Sequence, residues 1–215
     1  SFISGLISFA LTLTVDGIAQ PLPNETVVDR FLRYVKIDTQ SQDDVSEVPS
    51  TKKQLDLANL LAKELASLGL TDARVDQHAY VYATLPSNLP PEKAIKVPVI
   101  GLISHMDTSP EISGANVNPI LHQNYRGGNI VLPNDTTQVI SVEKSPRLLD
   151  NIGSTIITAD GTTLLGADDK AGIAEIMTAI QTLVSRPEIK HGTIKICFTP
   201  DEEVGKGADM FDIKR

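Results

Sequence analysis

Three short apolar stretches in this 215-residue chain each lead into acidic or imidazole side chains, and that pattern restricts the fold more than any other feature. The run 97–103 delivers His105 and Asp107, the segment 154–165 feeds Asp168 and Asp169, and the run 193–199 leads to Pro200, Asp201, Glu202 and Glu203. Short apolar stretches bounded by turn residues are the pattern of buried strands. Between them, apolar residues recur at helical spacing. Val27, Val28, Phe31, Leu32 and Val35 make one face, after Asn24 as a helix cap and Glu25 in the first turn. Leu57, Leu60, Leu61, Leu65 and Leu68 make a second, in a helix that starts at Pro49, Ser50 and Thr51 and ends at Gly69. Ile173, Ile176, Met177, Ile180 and Leu183 make a third, from Ala171 to just before Pro187. Alternating strands and helices predict an α/β domain with helices on both faces of a largely parallel or mixed sheet.

Within that frame Val75 and the run 80–85 read as strands, 86–96 as a loop, and 97–103 as a central strand. The segment 111–147, rich in Asn, Gly and Pro, predicts an irregular excursion with a few short strands. The alternation in 154–165 around Asp160 and Gly161 predicts a hairpin. Residues 1–23 stand apart: 2–15 are apolar, and Gly17, Ile18 and Ala19 precede Pro21 and Pro23, like the core and cleavage site of an export signal. The domain is therefore taken as 24–215, preceded by the signal-like segment 1–23.

A net charge of −8, with no cluster of Lys and Arg, argues against nucleic-acid binding and favours cations as partners. The single cysteine, Cys197, lies in an apolar run and reads as a buried structural thiol. Neither a Gly-x-Ser-x-Gly elbow nor a glycine loop with Lys-Ser/Thr for phosphates is present. An Asp-Asp pair among glycines is by itself an ordinary polar turn. It gains chemical meaning from His105 and from Glu202-Glu203, because ligands of open α/β sheets bind beyond the carboxyl ends of the strands. His105 and Asp107, two residues apart on an extended segment, send their side chains to one side. Imidazole mixed with carboxylates suits zinc better than calcium or magnesium. One carboxylate can bridge two ions while its neighbour handles protons, the chemistry of metal-assisted amide hydrolysis.

These strings resemble a known family. His105-Met106-Asp107-Thr108-Ser109-Pro110, Asn116-Val117-Asn118-Pro119, Asn124-Tyr125-Arg126-Gly127-Gly128, Gly166-Ala167-Asp168-Asp169-Lys170-Ala171-Gly172 and Thr199-Pro200-Asp201-Glu202-Glu203-Val204-Gly205-Lys206-Gly207 look like the peptidase T family of tripeptide aminopeptidases. The resemblance runs from about Asn24 to the end and includes loops, which drift most easily. It implies a three-layer α/β/α zinc-exopeptidase-like catalytic domain with two zinc ions. It assigns His105 to one ion, Asp168 as the bridge, Glu203 to the second ion, Glu202 as general base and Asp107 as the acid that orients His105. It also implies a cis peptide after Asp168. A further Asp, a C-terminal His and a lid domain of the family have no counterpart before Arg215. The expectation is thus an incomplete catalytic domain without its lid, each zinc keeping two of three protein ligands. His78, His122 and His191 match no family ligand and read as loop or surface residues.

The alternatives are a related di-zinc deacylase or desuccinylase of N-acyl amino acids, and an inactive metal-binding module. The implied partner is a small peptide, with no nucleic acid and no membrane for the mature domain; a homo-oligomer stays open. The family implies the cytoplasm, whereas 1–23 implies export.

Overall fold

The computed structural model describes residues 25–213. The signal-like segment 1–23 lies outside the described residues, as does Asn24. Helix α1, Val27–Tyr34, is capped by Thr26 instead: Thr26 Oγ1 accepts the Asp29 N–H at 3.2 Å, and the Asp29 carboxylate accepts the Thr26 N–H at 3.0 Å. This reciprocal box satisfies two amides that the first turn would leave bare. Helix α2, Gln54–Ser67, starts later than expected because Ser50 and Thr51 use their hydroxyls elsewhere, on Asp201 and on the Gln40 carbonyl. It buries Leu57, Leu60, Leu61 and Leu65 and stops at Gly69, whose φ of +93° an L side chain rarely adopts.

Strands β1 (Arg74–Val75) and β2 (Val81–Leu85) follow, then a short helix α3 (Pro91–Ala94) inside the expected loop, then β3 (Ile100–His105). The excursion holds β4 (Ile120–His122), β5 (Ile130–Val131) and β6 (Val139–Ile140), and β7 (Ile156–Thr158) follows it. Helix α4 (Ala167–Ser185) and β8 (Ile194–Thr199) complete the set.

The main sheet has the order β1-β2-β8-β3 and is mixed: β8 runs antiparallel to β2 and parallel to β3. The run 97–103, expected in the centre, forms the edge strand of this sheet among the described residues, and β8 takes the middle. An apolar run reports burial and not which strand lies beside it. Helices α1, α2 and α4 share a single core with one face of the sheet, built on Leu57, Leu61, Ile173, Met177, Val81, Ile196 and Phe198. On the opposite face Tyr82 and Cys197 pack with Tyr80 and Phe211, and the rest of that face is an open groove.

No hairpin forms around Asp160. Strand β7 pairs with β4 in a separate antiparallel ribbon. The Asp160 carboxylate folds back to accept the Thr162 N–H at 2.9 Å and its hydroxyl at 2.6 Å, so a side chain closes the turn that strand pairing would otherwise have closed. The remaining residues to Gly166 cross to α4 as a loop. Asp168 and Asp169 are thus carried by the start of a helix, and only His105-Asp107 and Glu202-Glu203 follow strands of the main sheet.

Candidate active site

Parallel pairing of β3 with β8 places His105 opposite Thr199, and the Met106 N–H extends the ladder to the Thr199 carbonyl at 2.8 Å. The two chains then part into loops that carry the acids. Asp107 is wholly buried, and its two carboxylate oxygens accept the N–H of Glu202 at 2.9 Å and of Glu203 at 3.1 Å. His105 Nδ1 donates to the Asp107 carbonyl at 3.1 Å and lies 3.4 Å from the Asp107 carboxylate. One residue therefore orients the imidazole and holds the turn that bears both glutamates.

With Nδ1 engaged, Nε2 faces outward. It lies 2.9 Å from Asp168 Oδ1 and 3.8 Å from Glu202 Oε2. Burial alone would lower the His105 pKa, but Asp107, Asp168 and Glu202 around it raise it to about 9. Burial, together with Asp107, Asp168 and Glu202, raises Glu203, and His105 opposes them. Four carboxylates thus face one imidazole. The Asp168 side chain is 88% exposed and that of Glu202 59%, so both open toward solvent.

The helix start behind Asp168 is tightly packed. Asp168 and Asp169 depart from helical dihedrals, and the peptide between them is cis. Ser104 Oγ donates to Asp169 Oδ2 at 2.6 Å, and Asp169 Oδ1 accepts the Gly172 N–H at 3.2 Å. A Cβ on Gly172 would lie 2.5 Å from Asp169 Oδ1 and 2.8 Å from Ser104 Oγ, so any larger residue there would have to displace the Ser104–Asp169 pair. Lys170 is buried, donates to the Ile37 carbonyl at 2.7 Å, and is pulled down to about 8 by burial, against Asp38 and Asp107. The segment it grips braces the His105 loop: Thr39 Oγ1 donates to the Met106 carbonyl, and Gln40 Nε2 reaches the carbonyls of Ser109, Pro110 and Ile112.

His105, Asp107, Asp168, Glu202 and Glu203 therefore come together. His78, His122 and His191 do not: they bond instead to the Val48 carbonyl, the Thr158 hydroxyl and the Gly192 carbonyl, respectively. Sequence reasoning missed Ser104, Lys170, Thr39, Gln40 and Asp201. Ser104, Lys170 and Asp201 lie beside or inside the motifs, which was their only signal, whereas Thr39 and Gln40 are remote in sequence from every motif and gave none. For a metal, the imidazole nitrogen and carboxylate of His105 and Asp168 form the closest donor pair, and such a pair suits zinc. Among the described residues no three His, Cys, Asp or Glu side chains make a ready cage, so the donor set is open.

No family model matches the chain. Peptidase T of Desulfitobacterium hafniense is 60% identical over 188 residues, which are 87% of this chain and 45% of that protein. Peptidase T of Clostridium botulinum is 54% identical over 189 residues, 88% of this chain and 45% of that one. The chain resembles peptidase T, over a portion of it. It spans about half the length of the curated relatives it matches. Among solved structures, aminopeptidase PepT from Bacillus cereus superposes with a TM-score of 0.58 at 27% identity, covering 89% of this chain and 40% of that one. A tripeptidase from Staphylococcus aureus gives 0.54 at 27% identity, covering 88% and 41%. No helix among the described residues is long and apolar enough to cross a membrane.

Proposed function

We propose that the chain forms the N-terminal part of the catalytic domain of a zinc-dependent aminopeptidase that removes the first residue from tripeptides. The observation that carries this reading is the 2.9 Å approach of His105 Nε2 to Asp168 Oδ1 with Glu202 Oε2 at 3.8 Å. The likeness to peptidase T supports it. On this reading His105, Asp168 and Glu203 would be this chain's ligands to two zinc ions, His105 for one, Glu203 for the other and Asp168 for both. Bound there, the ions supply Lewis acidity toward the scissile carbonyl and toward water. Glu202 would take the proton of the attacking water on its carboxylate and return it to the leaving nitrogen as the carbon–nitrogen bond breaks. Asp107 keeps His105 turned with Nε2 outward and sets the glutamate turn. The reading assigns a second helical layer, a lid and the remaining ligands to the part of such proteins that this chain does not match. It sets the enzyme in the cytoplasm, with export through 1–23 as the alternative; fractionation of cells making a tagged chain separates the two.

The test pairs the chain with the unmatched part of the Desulfitobacterium relative and offers tripeptides and N-acyl amino acids. Release of the first residue from tripeptides is expected, with kcat falling by about 100-fold or more in Glu202→Gln while zinc content is unchanged. Preference for N-acyl amino acids would overturn the reading, and zinc uptake without turnover of either substrate would favour an inactive metal-binding module.

A further inference from the structure

We propose that Asp201 is the positioning residue of the Glu202-Glu203 turn, holding it to the start of α2 through Ser50 and Gln54. The inference rests on the roles given above to Glu202 and Glu203.

Asp201 is wholly buried, although it opens the acidic stretch Asp201-Glu202-Glu203 and by type belongs on the surface. Its carboxylate meets three neutral donors: the Ser50 N–H at 2.6 Å and the Ser50 hydroxyl at 2.5 Å, and Gln54 Nε2 at 2.6 Å. The Gln54 side chain also accepts the Asp201 N–H at 3.2 Å, so it grips both the side chain and the backbone of the same residue. Burying a carboxylate is costly unless every such bond is made, and an apolar side chain would close a loop here at lower cost.

The backbone explains what the bonds hold. Strand β8 ends at Thr199, and Asp201 turns the chain with φ +55°, a left-handed conformation that Asp tolerates better than most residues. A single 3₁₀ turn, Glu202–Val204, follows at once. The Lys206 N–H closes back on the Asp201 carbonyl at 2.8 Å, and the Gly205 N–H on that of Glu202 at 2.8 Å. The Glu202 side chain is 59% exposed, so packing does not place it and its carboxylate goes where the turn sends it. That turn is held from two sides. Asp107 receives the N–H groups of Glu202 and Glu203 from the side of β3, and Ser50 with Gln54 hold Asp201 from the side of α2. The second grip also serves α2, whose N-cap Lys53 makes no capping bond of its own.

Two variants separate the side-chain bonds from the backbone shape. Asp201→Gly keeps the left-handed turn accessible and removes the carboxylate, and Asp201→Asn keeps an acceptor oxygen. Amide hydrogen exchange of the metal-free chain, read by NMR, is the primary measure. In Asp201→Gly the Glu202 and Glu203 amides should exchange about tenfold faster or more, with Ile196 and Phe198 of β8 unmoved, and Asp201→Asn should fall between Gly and the parent. Gln54→Ala should repeat the effect from the other side of the contact. Unchanged exchange at Glu202 and Glu203, or equal acceleration along all of β8, would overturn the proposal.

A second arm titrates zinc alone against a chromophoric chelator, where Asp201→Gly should weaken uptake by about tenfold or more. Unaltered uptake in a variant with faster exchange would overturn positioning as a functional role. A parent chain that takes up no zinc counts against the metal reading, and the exchange arm then decides the grip by itself.

Discussion

Asp160 shows how much one side chain can organise when its oxygens are all used. Oδ1 accepts from Thr162, and Oδ2 accepts from Asn118 Nδ2 at 3.3 Å and Asn134 Nδ2 at 2.8 Å, so two parts of the excursion and the turn after β7 meet on one carboxylate. The Thr162 hydroxyl and then its N–H hold the carboxyl below its ordinary 3.8. Because the folded pKa is the lower one, this stabilisation is present above the unfolded value and is lost as pH falls through the folded value. Asp160→Asn should therefore lower the urea midpoint at neutral pH, and the gap to the parent should close as pH falls through the lowered folded value of Asp160. Urea titrations across pH check this; a gap that persists in acid would refute the assignment. The pattern of alternating residues around Asp160 suggested a hairpin, since it reports which residues face inward but not that a carboxylate will take the turn's amide.

At the scale of elements, α1 is tied to α2 by charge as well as by packing. Glu64 of α2 is almost fully buried and accepts from Tyr34 at 2.6 Å, Arg30 at 3.1 Å and Arg33 at 2.5 Å. Arg33 also makes two bonds to Glu25, which lies buried ahead of the Thr26 cap. Arg30, itself fully buried, reaches Gln181 of α4, so the network ties all three helices together. Burial together with the Glu64 carboxylate pushes the Tyr34 hydroxyl well above its ordinary range. Glu64→Ala leaves the Arg30 cation with Glu25 at 3.9 Å as its carboxylate among the described residues, beside the neutral Tyr34 and Gln181, and should cost about 3–5 kcal/mol in chemical denaturation. A loss below about 1 kcal/mol would mean that the pairs act as exposed surface pairs do. Helical periodicity located the apolar face of α2, but in α1 Val27 and Val28 of the expected face are exposed while Arg30 and Tyr34 are buried beside Phe31. It was silent about Glu64 and Arg30, because charged residues read as solvent-facing until a partner is known.

For the whole molecule, the open side of the sheet is the dominant feature. Val99 and Ile103 are each 58% exposed and line a groove of about 530 Å³ with Tyr82, Cys197 and Phe211, while β3 forms an edge. Exposed apolar edges pair with whatever they meet. The 215-residue chain should therefore self-associate as its concentration rises, and Ile103→Lys should reduce association without lowering the unfolding midpoint. Sedimentation velocity reads the first and urea titration the second; association unchanged by Ile103→Lys would show that this face is not responsible.

The sequence by itself determined the α/β class, the apolar faces of α2 and α4 and the buried thiol of Cys197, and it marked His105, Asp107, Asp168, Glu202 and Glu203 as candidates for one site. These follow from local periodicity and residue chemistry, which need no knowledge of neighbours. Tertiary structure alone decided that β8 lies between β2 and β3, that α4 and not a sheet strand carries Asp168, and that Asp107 receives the amides of both glutamates. It also decided that Asp201 and Lys170 are buried. Strand order and the satisfaction of a buried charge depend on groups as far apart in sequence as Ser50 and Asp201, and no local pattern encodes that distance.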